Sequence, residues 1–200
     1  MYDLIIRNGT VVDGSGGEPY VADVAVEAGH IAAIGVALSD EAVREIDATG
    51  RIVTPGFVDI HTHYDGQATW DAELQPSTPH GVTTVVFGNC GVGFAPVEPG
   101  REQMLIELME GVEDIPGSAL NEGMTWGWET FAEYLDALDE REYAADVSAM
   151  IAHGPVRAYV MGERGAKNEK AEPNEVTEMA RLVKEALQAG ALGFSTSRTI

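Results

Sequence analysis

Two histidines one residue apart, His61 and His63, follow the run Gly56-Phe-Val-Asp-Ile60. In an extended strand alternate side chains share a face, so both imidazoles point one way and Thr62 points the other. Two imidazoles on one face, at the carboxyl end of a strand, can hold one divalent metal ion. Asp59 lies on that face one step deeper, placed to accept from an imidazole N–H. The only cysteine, Cys90, sits just past a second apolar run, Val82-Thr-Thr-Val-Val-Phe87, in the turn Gly88-Asn-Cys-Gly91. In a parallel barrel the chemistry gathers at the carboxyl ends of the strands, which puts Cys90 beside the histidine pair. A thiolate there is a soft, strong zinc ligand, and the metal lowers its pKa. Taken alone, a His-x-His pair can arise by chance, and a lone cysteine is often a small buried hydrophobe.

Other residues fall in the same territory with less to fix a role. Asp65 follows the pair, next to Tyr64, as a supporting carboxylate. His153 ends a third strand candidate, where it either faces the site or braces the turn to Gly154-Pro155. Arg157 is a candidate anion binder for a substrate carboxylate, against an ion pair with one of many acids. Ser195, Thr196, Ser197 and Arg198 lie at the end of a fourth strand candidate, with roles unassigned. Trp126 and Trp128 either line an apolar pocket or pin a long loop. His80 precedes Gly81 at a helix end, where a cation suits the dipole; it and His30 read as structural.

The elements that position these residues come in two styles. Residues 1–53 read as short strands joined by turns. Asn8-Gly9 between Leu4–Ile6 and Thr10–Val12 signals a hairpin, as does Ala28-Gly29 between Ala22–Glu27 and His30–Ile34. Arg51–Val53 is a further strand candidate. A small β domain of incomplete sandwich type is expected. From residue 54 strands and helices alternate, which points to βαβ units and a parallel sheet. The strands are expected at Phe57–Ile60, Val82–Phe87, Val147–Ala152 and Ala191–Phe194. Helices are expected around Arg101–Gly111, around Glu129–Leu138, and after Pro173 with an apolar face of Val176, Met179, Ala180, Val183 and Leu187. Gly190 suits the end of that last helix. The expected fold is therefore α/β, a partial TIM-like (β/α) barrel over 54–200 preceded by the small domain of 1–53. Four strands make half of an eight-stranded barrel of about 250 residues, so the chain is expected to stop where the next barrel unit would begin.

Composition narrows the partners. The chain has 200 residues, 44% hydrophobic and 22% charged, so a packed core is possible. Its 33 acidic and 12 basic residues give a net charge of −21. Such a surface repels phosphate backbones and anionic lipid, which argues against nucleic acid and membrane as partners. One cysteine allows no internal disulfide. No signal-like N-terminus and no bilayer-length apolar run are present. A soluble cytoplasmic protein is expected.

The string Thr54-Pro-Gly-Phe-Val-Asp-Ile-His-Thr-His63 resembles the first barrel strand of the amidohydrolase superfamily. Gly88-Asn-Cys-Gly91 after His-Thr-His-Tyr-Asp65 resembles its N-acyl-D-amino-acid deacylase (D-aminoacylase) branch. The similarity continues through Leu4–Gly9, Ala152–Arg157, Val160–Gly162 and Gly190–Thr196. The resemblance implies that His61, His63 and Cys90 are metal ligands, with Cys90 where other members use a modified lysine. It implies one or two zinc ions and a small N-acyl amino acid as substrate, cleaved at its amide. It also implies that the general-base aspartate and two further histidine ligands lie beyond residue 200, so that residues 1–200 alone are inactive. One departure stands out: D-aminoacylases read Ser-Thr-Gly-Leu where this chain reads Ser195-Thr-Ser-Arg198, which loosens any inference about the amino acid bound. Two other readings compete. A cyclic-amide hydrolase of the dihydroorotase or hydantoinase kind is disfavoured, because no lysine follows Lys184. A non-catalytic metal-binding protein derived from an amidohydrolase is the other.

Overall fold

The computed structural model describes residues 1–113 and 115–197. The chain divides into two compact units, Met1–Gly56 and Phe57–Ile200.

The first unit is one sheet of five strands: β1 (Tyr2–Val11), β2 (Tyr20–Glu27), β3 (His30–Gly35), β4 (Ala42–Asp47) and β5 (Ile52–Val53). The order is β3-β2-β1-β4, with β5 also on β1. β1 is antiparallel to β2 and parallel to β4 and β5. The Ala28-Gly29 hairpin forms as expected, with Glu27 opposite His30. Its central residues take φ of 50° and 77°, the left-handed pair that matches strand twist in a two-residue hairpin.

The hairpin expected at Asn8-Gly9 does not form. β1 runs through it, with a register shift between Ile6 and Gly9. Asn8 does take a positive φ of 58°, but its N–H donates to the buried Asp23 carboxylate on β2 at 2.8 Å. The left-handed residue therefore makes a bulge rather than a reversal. Asp23 also accepts from the Leu38 N–H at 3.0 Å and the Arg7 guanidinium at 3.2 Å. Strand β4 has no counterpart in the sequence reading. Its Val-Arg-Glu-Ile stretch is exposed and lacks apolar alternation, so its pairing to β1 defines it.

The second unit holds the parallel strands. β6 (Phe57–Asp59), β7 (Val82–Phe87) and β8 (Asp146–Ala149) form one sheet in that order, and β9 (Ile151–Ala152) pairs with β10 (Phe194–Ser195). All these pairings are parallel. The single strand expected over 147–152 is broken at Met150, whose N–H turns to the Phe87 carbonyl at 2.9 Å. The Met150 carbonyl in turn lies against Gly88 and leaves no room for a Cβ there, and Gly88 also has φ +80°. Glycine at 88 thus lets β7 end against the β8–β9 break.

The helices are α1 (Glu102–Glu113), α2 (Gly117–Gly123), α3 (Phe131–Asp139), α4 (His153–Met161), α5 (Glu163–Ala166) and α6 (Pro173–Ala189). Thr130 and Glu133 cap α3 reciprocally, and its Phe131, Tyr134 and Leu138 are buried. Together with Phe87, Ile106, Met109 and Ile151 they form the core of this unit. On α6, Pro173 opens the first turn and Gly190 ends the helix. Its buried face agrees only in part with the one expected, in Met179 and Val183. Met179, Leu182, Val183 and Ala186 pack on the core, whereas Val176 and Leu187 are about half exposed, at 53% and 46%. Helix α4 starts directly at His153, where the sequence suggested a turn. Among the described residues no helix is long and apolar enough to cross a membrane.

Candidate metal centre

The histidine pair follows β6. Thr62 between them is buried, and both its N–H (3.0 Å) and its hydroxyl (2.9 Å) donate to the Val86 carbonyl on β7. With Thr62 pinned inward, His61 and His63 come together on the other side, although the strand itself ends at Asp59. Their ring centroids lie 5.6 Å apart.

Cys90 is brought to them by the turn that ends β7. Gly88, Cys90 and Gly91 have φ of 80°, 52° and 74°. A cysteine in the left-handed region is uncommon and must be held there by its surroundings. Two groups hold it. The Asn89 side-chain amide faces the carbonyls of Val86 (3.0 Å), Thr62 (3.3 Å) and Ile60 (3.4 Å), which ties the cysteine turn to the histidine segment. The Ser195 hydroxyl donates to the Gly88 carbonyl and accepts from the Gly91 N–H at 3.3 Å. The two glycines that flank the Asn89-Cys90 pair are thereby clamped to the end of β10.

The outcome is a three-donor cluster. One ligand atom each from His61, His63 and Cys90 lies within 4.8 Å of the other two. His61 Nε2 is 3.2 Å from Cys90 Sγ. Donors around a four-coordinate zinc with bonds of about 2.0–2.3 Å sit roughly 3.3–3.6 Å apart. By donor type and spacing, the three residues fit a zinc-class ion. Burial keeps the His63 imidazole below its ordinary pKa, with the nearby Glu113 carboxylate opposing that and His61 adding to it. Neutral imidazole is the form that binds metal. Burial, then the Glu113 carboxylate, pushes the Cys90 thiol up in the metal-free site.

The remaining candidates separate. Asp65 is fully buried beside the cluster; burial lifts its carboxyl to about 8, and its Oδ2 has no hydrogen-bond partner among the described residues. Its backbone carbonyl accepts from the Tyr134 hydroxyl at 2.7 Å. Asp59 does not reach an imidazole. Its Oδ1 accepts from the His61 backbone N–H at 3.1 Å, because β6 ends at Asp59 and the chain turns there. His153 stacks edge-on against Phe194 with centroids 6.3 Å apart. The Arg157 guanidinium donates to the Glu169 backbone carbonyl. Neither His153 nor Arg157 joins the three-donor cluster. Trp128 is buried and its indole N–H donates to the Phe94 carbonyl at 2.8 Å, so it pins the loop; with Trp126 it also lines a surface pocket of about 590 Å³. Arg198 lies outside the described residues.

Three residues gained importance only from the structure. Asn89 stood in the quoted motif, yet nothing in one sequence shows three carbonyls converging on it. Ser195 was named without a role. Nothing in the sequence distinguishes Glu113 among 33 acids; its carboxylate lies 3.2 Å from His63 Nε2.

Similarity to known proteins follows the same segments. The amidohydrolase family model matches residues 44–200. D-aminoacylase of Alcaligenes xylosoxydans xylosoxydans is 38% identical over 198 residues, which is 98% of this chain and 37% of that protein. A solved D-aminoacylase, described by its binuclear metal centre with one-metal activation and second-metal attenuation, superposes with a TM-score of 0.81 at 35% identity, over 98% of this chain and 38% of that one. N-acyl-D-glutamate deacylase from Bordetella bronchiseptica, solved with zinc and a phosphonate that mimics the tetrahedral intermediate, gives 0.80 at 34% identity, again over 98% and 38%. The chain thus spans well under half the length of these relatives. With the family match running from β4 through the histidine pair, the Cys90 turn and Ser195, the chain belongs to the amidohydrolase family.

Proposed function

We propose that this chain supplies the opening part of a metal-dependent hydrolase that cleaves the amide bond of N-acyl-D-amino acids. His61, His63 and Cys90 hold one zinc ion, or share in a two-zinc centre. The observation that carries the reading is the convergence of those three donors from two segments, in a chain that resembles D-aminoacylases over nearly all its length. In this reading the first unit is one sheet of an incomplete sandwich, with its boundary near residue 53. The second unit is the first half of a (β/α) barrel. The apolar side chains that this unit leaves exposed support that. Val58 lies in β6 and Ile60 just after it, at 59% and 71% exposure, and Leu192 and Phe194 lie at β10 at 61% and 45%, all suited to cover by further barrel elements.

A zinc ion held by His61, His63 and Cys90 would supply Lewis acidity toward an amide carbonyl and would lower the pKa of a water to about 7. The chain's own residues prepare for it. His61 and His63 present their imidazoles on one face. Cys90 would hold the metal as its thiolate, so affinity would rise with pH. Asn89 and Ser195 hold the cysteine turn in its left-handed form. Asp65 is the buried carboxyl behind the cluster, and Asp59 fixes the backbone at His61. His153 and Arg157 stay as candidates for contact with the substrate, through the exposed parts of their side chains. The general base is assigned to none of these residues. The chain is strongly acidic, which disfavours nucleic acid as a substrate.

Zinc content after dialysis tests the reading. Wild-type protein is expected to retain zinc and Cys90→Ala to lose it. Unchanged zinc in Cys90→Ala removes the assignment. Residues 1–200 alone are expected to show no turnover of N-acetyl-D-amino acids, and robust turnover would show that the general base is among them.

A further inference from the structure

His63 lies beyond the strand that leads to it. β6 ends at Asp59, so no strand pairing sets the backbone at residue 63, and its neighbours must do so. On one side stands Thr62, with two bonds to the Val86 carbonyl. On the other side are Tyr64 and Asp65, both buried. The Tyr64 hydroxyl donates to the Ser77 hydroxyl at 2.8 Å. The Asp65 backbone carbonyl accepts from the Tyr134 hydroxyl at 2.7 Å, across 69 residues of chain. Among the described residues no other donor reaches that carbonyl.

The Tyr134 phenol is itself tightly held. Tyr134 is 2% exposed. It follows the Thr130–Glu133 capping box that opens α3, and its N–H donates to the Thr130 carbonyl at 3.1 Å. Its ring packs against Trp128 and Phe131, with centroids 5.1 and 5.9 Å away. Trp128 is fixed in turn by its indole bond to the Phe94 carbonyl. A ring packed in this way has one place for its hydroxyl, and the carbonyl bonded to it is fixed with it.

We propose that Tyr134 is a positioning residue for the metal site: its hydroxyl fixes the Asp65 carbonyl, and with it the backbone from which His63 reaches the metal. This rests on the metal reading above. The competing role is that of a buried hydroxyl that has simply found an acceptor. A second tyrosine on the same loop separates the two roles. The Tyr143 hydroxyl donates to the Ala68 carbonyl at 2.9 Å, and Ala68 is also buried. Both bonds tie the loop after β6 to the stretch that runs from α3 to β8. Only the Tyr134 bond lands two residues from a ligand. Its removal therefore disturbs the ligand as well as the fold, whereas removal of the Tyr143 bond disturbs the fold alone.

Wild type, Tyr134→Phe, Tyr143→Phe and Cys90→Ala are each prepared as the full chain and stripped of metal. Each is titrated with zinc against a chelator, and separately with Co²⁺ while its visible absorption is recorded. Phenylalanine keeps the ring and removes only the hydroxyl. Urea unfolding of the metal-free proteins reads the purely structural part. Tyr134→Phe is expected to bind zinc about tenfold more weakly, the scale of losing a group that supports a ligand, with a changed Co²⁺ band. Tyr143→Phe is expected to lower the urea midpoint by a similar amount and yet bind both metals as wild type does. A wild-type Co²⁺ band in Tyr134→Phe overturns the proposal, and so does equal weakening of zinc binding in the two tyrosine variants. A second measurement needs no variant to fold. Zinc is added to wild type whose tyrosines are isotope-labelled at the ring carbon that bears oxygen. The Tyr134 resonance should shift while that of Tyr143 stays, and a Tyr134 resonance that zinc leaves in place overturns the proposal. If Cys90→Ala loses metal while Tyr134→Phe keeps wild-type behaviour, only the Tyr134 inference fails. If Cys90→Ala binds as wild type does, the metal reading fails and takes Tyr134 with it.

Discussion

Cys90 Sγ lies 3.2 Å from His61 Nε2, although the two residues are 29 apart in the chain. Neither residue's own strand creates that contact. β6 and β7 run parallel and adjacent, so their carboxyl ends arrive together. The left-handed turn after β7 then folds Cys90 back toward the histidines.

The histidine pair should be needed for metal as a pair. His61→Asn and His63→Asn are each expected to weaken zinc binding by about 10-fold or more, since each removes one of the ligands in the cluster. Chelator competition reads this directly. Wild-type affinity in both variants would show that the cluster is not the site.

Ser195 should act through the Cys90 turn. Its hydroxyl links the Gly88 carbonyl and the Gly91 N–H. Ser195→Ala leaves both without that partner, at a cost of about 1–2 kcal/mol. A lower urea midpoint and faster hydrogen exchange at the Gly91 amide are expected, with zinc affinity falling as the turn loosens. Ser195→Thr keeps the hydroxyl and should recover the exchange protection.

Gly88 should tolerate no side chain. It combines φ +80° with a backbone that a Cβ would drive into the Met150 carbonyl. A strained left-handed residue alone costs of order 1–3 kcal/mol, and overlap with main chain adds a similar amount. Gly88→Ala is therefore expected to lose about 3 kcal/mol or more in denaturant unfolding. Gly100 is a matched control: it has φ +87° but nothing within 4 Å, so Gly100→Ala should cost much less.

Acid should weaken the first unit through Asp23. The Asn8 N–H, then the Arg7 guanidinium and Leu38 N–H, hold the Asp23 carboxyl below the usual range against the opposing effect of burial. A carboxyl whose pKa is lower in the folded than in the unfolded chain stabilises the fold fully above the unfolded value, about pH 4. That contribution is lost as pH falls through the folded value. Asp23→Asn should be less stable at neutral pH and show a shallower loss below about pH 4. Equal slopes in the two proteins would remove Asp23 as the cause.

Much of this was legible in the sequence. Val82–Phe87 is a β-branched run ending in Phe87, between a helix-ending Gly81 and Gly88, and it is the strand expected. His61-x-His63 declared a shared face by period alone. Pro173 and Gly190 bracketed α6 correctly. Asn8-Gly9 misled, because a left-handed residue serves a bulge as well as a turn, and only the Asp23 carboxylate on the neighbouring strand decides which. The α6 face was legible at Met179 and Val183 but not at its edges, because Val176–Leu187 and Met179–Ala186 both satisfy a helical period. Which of them is buried depends on what packs against the helix.

The sequence by itself determined the donor types, the shared face of His61 and His63, and the glycines that let Cys90 sit in a tight turn. These are local matters, set by strand period and by which φ values a residue tolerates. Only the tertiary structure decided which distant groups meet there. It put Asn89 on three carbonyls, Ser195 across the cysteine turn, and Glu113 against His63. It also turned Asp59 to the backbone and Arg157 to the Glu169 carbonyl. Those outcomes depend on the parallel register of β6 and β7 and on where α1 ends, and neither is written in the identity of the residues that meet.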